Sequence, residues 1–568
     1  MRPRDRMSLA MTLLLLAAAP ARAEWPTDPA HNVPVDTLGD VGIPSVISDG
    51  SGGAIAVWSG NHGTPTFFAQ HFDPSGQALW SSGVPMASSP TWIGYRPSVT
   101  TDGAGGAIVA WGRMADNGSG TICLQRINGN GGLEWGPDGV VACSLNSSYP
   151  LVTTDGAGGA IVVWNDIRGV VDFTQPFDRH VYVQRVSSSG VPLWTANGIP
   201  ITSGHGEFGC KDIAPDCVGG AILAWWGAPH MGDGHDDVHA QRLASDGTPV
   251  WGAAGVTVCS APGDQAYPLL AADGSGGAFI AWIDGRAGLG TQGLYAQHLD
   301  AAGTPVWAAD GLGLCSLPGD QPVNHILTDG TGGAFVVWND DRTGTWQVYA
   351  QRVNASGTGT WTANGVCLGT GAGREDSPCL ASDGAGGIFL AWRDGRNADE
   401  QMYGQHLLAD GTKAWSAGGL QISSAPGGQF SPDIAPEGAH GAVVIWQDLR
   451  SPTSHLYAQG LYSGGLGSGA VAGVPATSGS NVALASAGAN PSRDGRTRVR
   501  FSLYGGEPAS IDVLDITGRR IDSQPVGQLG AGAHEIELAS LAGAAPGVYL
   551  VCLREGVRTQ STRIARLR

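Results

Sequence analysis

A short apolar run ending in tryptophan recurs along the chain, each time behind a polar glycine turn. The clearest copies read TDGAGGAIVVW (154–164), ADGSGGAFIAW (272–282) and TDGTGGAFVVW (328–338). No polar residue interrupts the run, which is the mark of a strand buried on both faces rather than one. The terminal tryptophans are Trp58, Trp111, Trp164, Trp225, Trp282, Trp338, Trp392 and Trp446. Nine residues before each stands an acid: Asp49, Asp102, Asp155, Asp216, Asp273, Asp329, Asp383 and Glu437. An Asp-Gly pair at that point predicts a tight turn, with glycine supplying the positive φ. After the tryptophan comes a second strand pattern, as in LYAQH (294–298), VYAQR (348–352), MYGQH (402–406) and LYAQG (456–460). A glycine turn then leads to a second tryptophan series: Trp80, Trp135, Trp194, Trp251, Trp307, Trp361 and Trp415.

Each unit therefore predicts four short strands in a period of 53 to 61 residues, the pattern of a propeller blade. Eight such units predict an all-β chain built on an eight-bladed β-propeller. The last unit ends after LYAQG without a second tryptophan, while Trp25 and the following HNVPVDT (31–37) look like Trp194 and NGIPITS (197–203). The N-terminal segment is thus expected to supply the missing fourth strand and close the ring. Closure removes the exposed edges that an open array leaves; an open solenoid would instead need distinct capping units.

Composition agrees with many strands and tight turns. Glycine reaches 90 of 568 residues while charged residues are only 14%, which disfavours a helical protein. The N-terminus reads as a secretory signal over 1–23: Arg2, Arg4 and Arg6, an apolar run from Leu9 to Ala19, then Ala21-Arg22-Ala23. No other segment is apolar for long enough to cross a membrane after signal removal. The formal charge is −18. Taking away +3 for the signal region and +3 for residues 489–568 leaves about −24 on the body. Such a surface excludes nucleic acid as partner and suits cations, sugars or basic proteins. Nine cysteines leave at least one without a partner in the chain. Cys143, Cys259 and Cys315 occupy one repeat position and read as small buried side chains, and Cys210 and Cys217 lie too far apart along one strand to bridge.

The propeller is expected over 24–460, followed by a Gly/Ala/Ser-rich linker over 461–488 and a small C-terminal β-sandwich over 489–568. In that last segment Asn490-Pro491, VLDITGRRI (513–521) and PGVYLVCL (546–553) resemble the C-terminal sorting domain of type IX secretion cargo and the related Ig-like module of flagellar hook-capping (FlgD-like) proteins. The residues that carry the resemblance are Asn490, Pro491, Asp515, Gly518, Arg519, Gly547, Val548 and Tyr549. It implies an Ig-like domain, passage through the periplasm, the secretion machinery as partner, and release or attachment at the outer cell surface.

Repeated residues are expected to be structural. One carboxylate per Asp-Gly turn is too few oxygens for calcium. Five units carry Trp-x-Asp-x-Arg (Asp166/Arg168, Asp284/Arg286, Asp340/Arg342, Asp394/Arg396, Asp448/Arg450), which predicts an ion pair clamping the loop. The Asp-Gly…Trp letters are similar to the sialidase Asp-box, but there the aromatic follows the acid by about five residues and here by nine, so no sialidase activity is carried over. Function is then sought where the units differ. The face bearing the loops between second and third strands is predicted to carry Trp92, Tyr95, Arg96, Phe177, Arg179, His180, His205, Glu207, Arg374 and Glu375. In the fourth unit, His230, Asp233, His235, Asp237 and His239 lie within ten residues, a donor set suited to a divalent transition metal, with no other cofactor required. No catalytic residues are assigned: no nucleophile–base signature, catalytic carboxylate pair or phosphate loop stands out. The favoured function is a binding, adhesion or scaffold module for polysaccharide or a cell-surface protein. The alternatives are a polysaccharide hydrolase or lyase and a structural envelope component. An enzyme predicts a deep central pocket with perturbed carboxylates, a binding module an aromatic face.

Overall fold

The computed structural model describes residues 25–467 apart from short segments, among them 88–95, 169–178, 204–205 and 230–234, and further on 484–486 and most of 498–566. The signal segment lies outside the described residues. The described chain is all-β, with one 3-10 turn at Gly527–Leu529 and no helix long and apolar enough to cross a membrane. It divides into two compact units, 1–470 and 471–568.

In the first unit each repeat folds into an antiparallel sheet in simple up-and-down order. The fifth is typical: Gln265–Ala272, Ala278–Asp284, Gly293–Leu299 and Leu312–Gly313. Seven such sheets span 45–85, 98–143, 147–200, 206–259, 265–313, 323–367 and 375–421. The eighth combines Gln429–Glu437, Gly441–Asp448 and His455–Tyr462 with Val33–Asp36 from the start of the chain, Val33 pairing with Ala458. All eight apolar runs are second strands, and their tryptophans are at most 2% exposed. Successive sheets share apolar cores, and the first packs on the last through Val46, Ala54, Ala435 and Ile445. The architecture is a β-propeller, with the first strands of the sheets ringing its axis.

The repeat letters account for this packing. Asp102 Oδ1 accepts the backbone N–H of Ala104 and of Gly106, both at 2.8 Å, and so fixes the turn. Its Oδ2 receives Arg126 from the third strand at 3.0 Å. The same clasp joins Asp155 to Arg185, Asp216 to Arg242 and Asp329 to Arg352, and, with histidine, Asp49 to His71, Asp273 to His298 and Asp383 to His406. The glutamine of Tyr-Ala-Gln docks the fourth strand: Gln297 Nε2 donates to Ala308 O at 2.7 Å and Oε1 accepts Trp307 N at 2.9 Å. In the eighth sheet Gln459 makes the first of these bonds to Pro26 O. Trp25 rests on Gly76, where a Cβ would come within 2.7 Å of its ring, as Trp251 rests on Gly303. The N-terminal segment therefore does what the second tryptophan does elsewhere.

The expected boundary at 460 shifts. Leu461 is fully buried, and His455–Tyr462 pairs back with Gly465–Leu466. The cause is local: Gly460 stands where other sheets have Arg or His, and Tyr462 clasps Glu437 in its place. Likewise Leu484–Ser486, assigned to the linker, pairs with Arg498–Leu503. The second unit holds a three-stranded and a four-stranded sheet around a core of Val499, Phe501, Ile511, Val513, Tyr549 and Val551. Of the residues carrying the sorting-domain resemblance, Gly547, Val548 and Tyr549 begin the strand Gly547–Glu555. The other five lie outside the described residues.

Candidate functional site

The Trp-x-Asp-x-Arg segments form buried clasps. Asp284, fully buried, accepts Trp282 Nε1 at 2.8 Å and a two-pronged contact from Arg286 at 2.8 and 2.6 Å. The guanidinium lies 3.9 Å over the Tyr295 ring and donates to Asp310 O at 2.7 Å. This explains the tyrosine of Tyr-Ala-Gln, whose role the letters alone did not reveal. Cys143, Cys259 and Cys315 reach the same carboxylates, with Sγ–Oδ2 distances of 3.9, 3.7 and 4.0 Å, so they do more than fill space. All nine cysteines are free. These saturated clusters leave no open coordination for a ligand.

The departures from the repeat gather around the axis. In the third, fifth, seventh and eighth sheets the first strand carries a bulge ahead of its pairing with the second. Each bulge places a residue six before the repeat acid at positive φ: Tyr149 and Tyr267 at 53°, Ser377 at 52° and Ser431 at 51°. The two tyrosines are 52% and 48% exposed. Between them lies the fourth sheet, whose hairpin of Gly206–Pro215 and Ala221–Pro229 is the longest of the eight. Trp226 from this hairpin lies against Gly209, where a Cβ would sit 2.5 Å from the ring, and meets Tyr267 at a centroid distance of 4.9 Å. Lys211 Nζ stands 5.9 Å from the Tyr267 ring. Sheets three to five thus present an aromatic arc at one mouth of the channel.

Sheets seven, eight, one and two present a charged arc. Arg96 donates to Ser45 Oγ at 2.9 Å and pairs with Asp433 at 2.5 Å. Arg393 grips Asp376 with two contacts of 2.6 Å, Arg374 adds a third, and Arg393 lies 5.4 Å over Phe430. Burial works to raise the Asp376 pKa, but the two guanidinium groups outweigh it and hold it below the usual range.

Deeper in the channel, the position four before the repeat acid is Ser45, Ser98, Leu151, Asp212, Leu269, His325, Cys379 and Asp433 in turn. Several of these pin the next sheet. Ser98 accepts Val152 N, Asp212 accepts Leu270 N and Asp433 accepts Val46 N, each at 2.9 Å. Burial pushes the Asp212 carboxyl up to about 6, against the pull of its backbone donors. It also lowers His325, with Asp433 opposing and Arg96 assisting.

The predicted face is partly brought together. Arg96 and Arg374 belong to the charged arc. Arg179 pairs with Glu207 at 3.1 Å, and His180 stacks on Phe208 at 6.0 Å, joining sheets three and four. Glu375 is corrected: it is fully buried, where the neighbouring sheets carry Gln321 and Gln429, with Val348 N at 3.5 Å and Arg396 at 3.8 Å. Trp92, Tyr95, Phe177 and His205 lie outside the described residues, as do His230 and Asp233 of the metal set. Of the rest, His235 pairs with Asp264 at 3.1 Å, and Asp237 opens the strand Asp237–Leu243. His239 lies over Trp225 and contacts Thr257 at 3.3 Å; burial pushes its pKa down to about 4. Among the described residues no three His, Cys, Asp or Glu converge on a metal position. Tyr149, Trp226, Tyr267 and Lys211 were missed because they hold no motif. Comparing the column six before the acid, unit by unit, would have exposed two of them.

No known protein family matches the chain, and no curated protein is similar to it in sequence. Among solved structures it is similar to the β-propeller domain of the Trilobed protease from Pyrococcus furiosus, at 8% identity and TM-score 0.39, over 68% of this chain and 99% of that one. It is similar to the polysaccharide lyase Uly1 at 8% identity and TM-score 0.39, over 67% and 91%. It is similar to an α-L-arabinanase of Penicillium chrysogenum, complexed with arabinobiose, at 15% identity and TM-score 0.31, over 56% and 94%. Likenesses this distant say nothing of ligand or chemistry, and the propeller assignment rests on the sheet order itself.

Proposed function

We propose that the chain is an exported eight-bladed propeller, closed by its N-terminal strand and followed by an Ig-like sorting-type domain, that binds extracellular polysaccharide at the channel mouth. The observation that carries this reading is the pair Tyr149 and Tyr267. The bulge imposes positive φ in four sheets, and two of them accept it with serine. Tyr149 and Tyr267 instead leave about half of a tyrosine open to water at that position, with Trp226 set beside Tyr267, which supports a contact surface rather than a core. Tyrosine and tryptophan suit such a surface because they combine a flat apolar ring with a polar edge.

The mature full-length chain is expected to gain thermal stability with a subset of polysaccharides by mass action, and Tyr149→Ser with Tyr267→Ser to abolish that gain. If no polysaccharide shifts the midpoint, the reading fails. Export is tested separately: a chain ending at 486 is expected to accumulate in the periplasm.

A second reading, catalysis on the same ligand class, is favoured by Asp212, a channel carboxyl raised to about 6. Both of its oxygens already accept backbone N–H groups, from Ile213 and Leu270, which makes pinning the simpler role. Release of reducing ends, lost in Asp212→Asn, would establish catalysis.

A further inference from the structure

The body between the signal and the C-terminal domain holds sixteen Lys and Arg residues against a net charge of about −24. Nine are consumed by the repeated clasps: four on the Asp-Gly turns and five in Trp-x-Asp-x-Arg. Lys413 is tied to the carbonyls of Leu368 and Ala417. The other six, Arg96, Arg113, Arg179, Lys211, Arg374 and Arg393, share one face. They lie on first strands or just ahead of them, at the ends of second strands, or at the start of a third, which is the face of the channel mouth. Four of these six pair with Asp433, Glu207 or Asp376. Lys211 and Arg113 form no ion pair among the described residues. Lys211 is exposed and stands beside the exposed ring of Tyr267.

An acidic body repels anions in general. Placing at the mouth all six cations that the repeated clasps and Lys413 leave over makes that face the place where an anionic ligand is tolerated, and Lys211, exposed and in no ion pair among the described residues, is the group beside the aromatic arc that meets a negative charge. The geometry points to a polysaccharide that bears carboxylate groups as the ligand. Tyr149, Trp226 and Tyr267 stack on its sugar faces, and Lys211 pairs with the acid group of the residue lying on Tyr267. The inference rests on the channel mouth being the binding face and adds the chemical class of the ligand.

The test is calorimetric titration of the mature full-length chain with polygalacturonate and, in parallel, with a neutral galactan of matched length. Polygalacturonate is expected to bind at least about tenfold more tightly, and the difference to shrink at high salt. Lys211→Gln is expected to erase the preference by weakening polygalacturonate at least about tenfold. Tyr149→Ser and Tyr267→Ser are expected to weaken both ligands about tenfold. Both variants should fold, because Ser377 and Ser431 already occupy the same bulge at the same φ. Equal affinity for the two glycans, or a preference that survives Lys211→Gln, overturns the acid-group inference and leaves the binding face standing. Undiminished affinity in the double tyrosine variant, or no binding by the parent chain at all, overturns both.

Discussion

Cys217 occupies a position that is glycine in every other unit, from Gly50 to Gly438. The turn holds it at φ 66°, inside the 41–79° range of those glycines. A Cβ in that backbone region crowds the adjacent carbonyl, at a cost of about 1 kcal/mol or more. Cys217→Gly is therefore expected to raise the unfolding free energy by ~1 kcal/mol, read from the denaturant midpoint at constant m. An unchanged or lowered midpoint would show that the turn relaxes around the thiol. Cys217 is also the one exposed thiol: seven of the others are buried and Cys367 is half-buried. A thiol reagent under native conditions is expected to modify Cys217 first, with most of the remainder following only on unfolding. The odd cysteine count was evident from composition. Its address was not, because only the alignment of turns shows which cysteine replaces a glycine.

At the scale of the hairpin, the Trp-x-Asp-x-Arg clasp settles how second and third strands are joined. Asp284→Ala would leave the buried Trp282 indole N–H without its acceptor and the Arg286 guanidinium without its carboxylate. Breaking one side of a buried pair costs about 3 kcal/mol, and that cost falls on one hairpin. Amides of 283–294 are expected to exchange faster, while the second-sheet hairpin, which has no such clasp, keeps its rate. Uniform acceleration across all sheets would instead mean that the clasp serves global stability. The strands and their order were legible because Trp, Asp and Gln recur at fixed offsets, and a recurrent residue must do the same thing each time. The mouth was not legible in this way. Tyr149 and Tyr267 acquire meaning only from a bulge, and register is a property of paired strands rather than of one strand's letters. Glu375 misled for the complementary reason: it looks like a surface acid but replaces a buried glutamine of the frame.

At the scale of the whole molecule, the ring is closed at one seam by groups found nowhere else. Val33–Asp36 completes the eighth sheet, while Asp36 reaches into the first, where Trp58 Nε1 donates to it at 2.6 Å and His62 pairs with it at 2.9 Å. The first unit lacks its own Trp-x-Asp-x-Arg, and the closing strand supplies the missing carboxylate. On the turn side of the same sheet Glu437 replaces the usual aspartate, and Tyr462 Oη donates to it where a cation would otherwise stand. Burial without a cation pushes the Glu437 pKa from 4.5 up to about 7, although the tyrosine bond works against the rise. The folded state therefore binds this proton more tightly than the unfolded chain. Its contribution is complete below pH 4.5, declines as pH rises, and is lost above about 7. A tenfold change in proton affinity is about 1.4 kcal/mol, so the whole effect approaches about 3 kcal/mol. Glu437→Gln keeps an acceptor for Tyr462 and removes the charge. The variant is expected to match the parent below pH 4.5 and to exceed it by up to about 3 kcal/mol above pH 7, with the gap opening between the two. Denaturation curves for both proteins across that range decide the matter: a gap that opens on schedule makes the seam the acid-favoured joint of the ring, whereas parallel curves mean that Glu437 is already ionised in the fold.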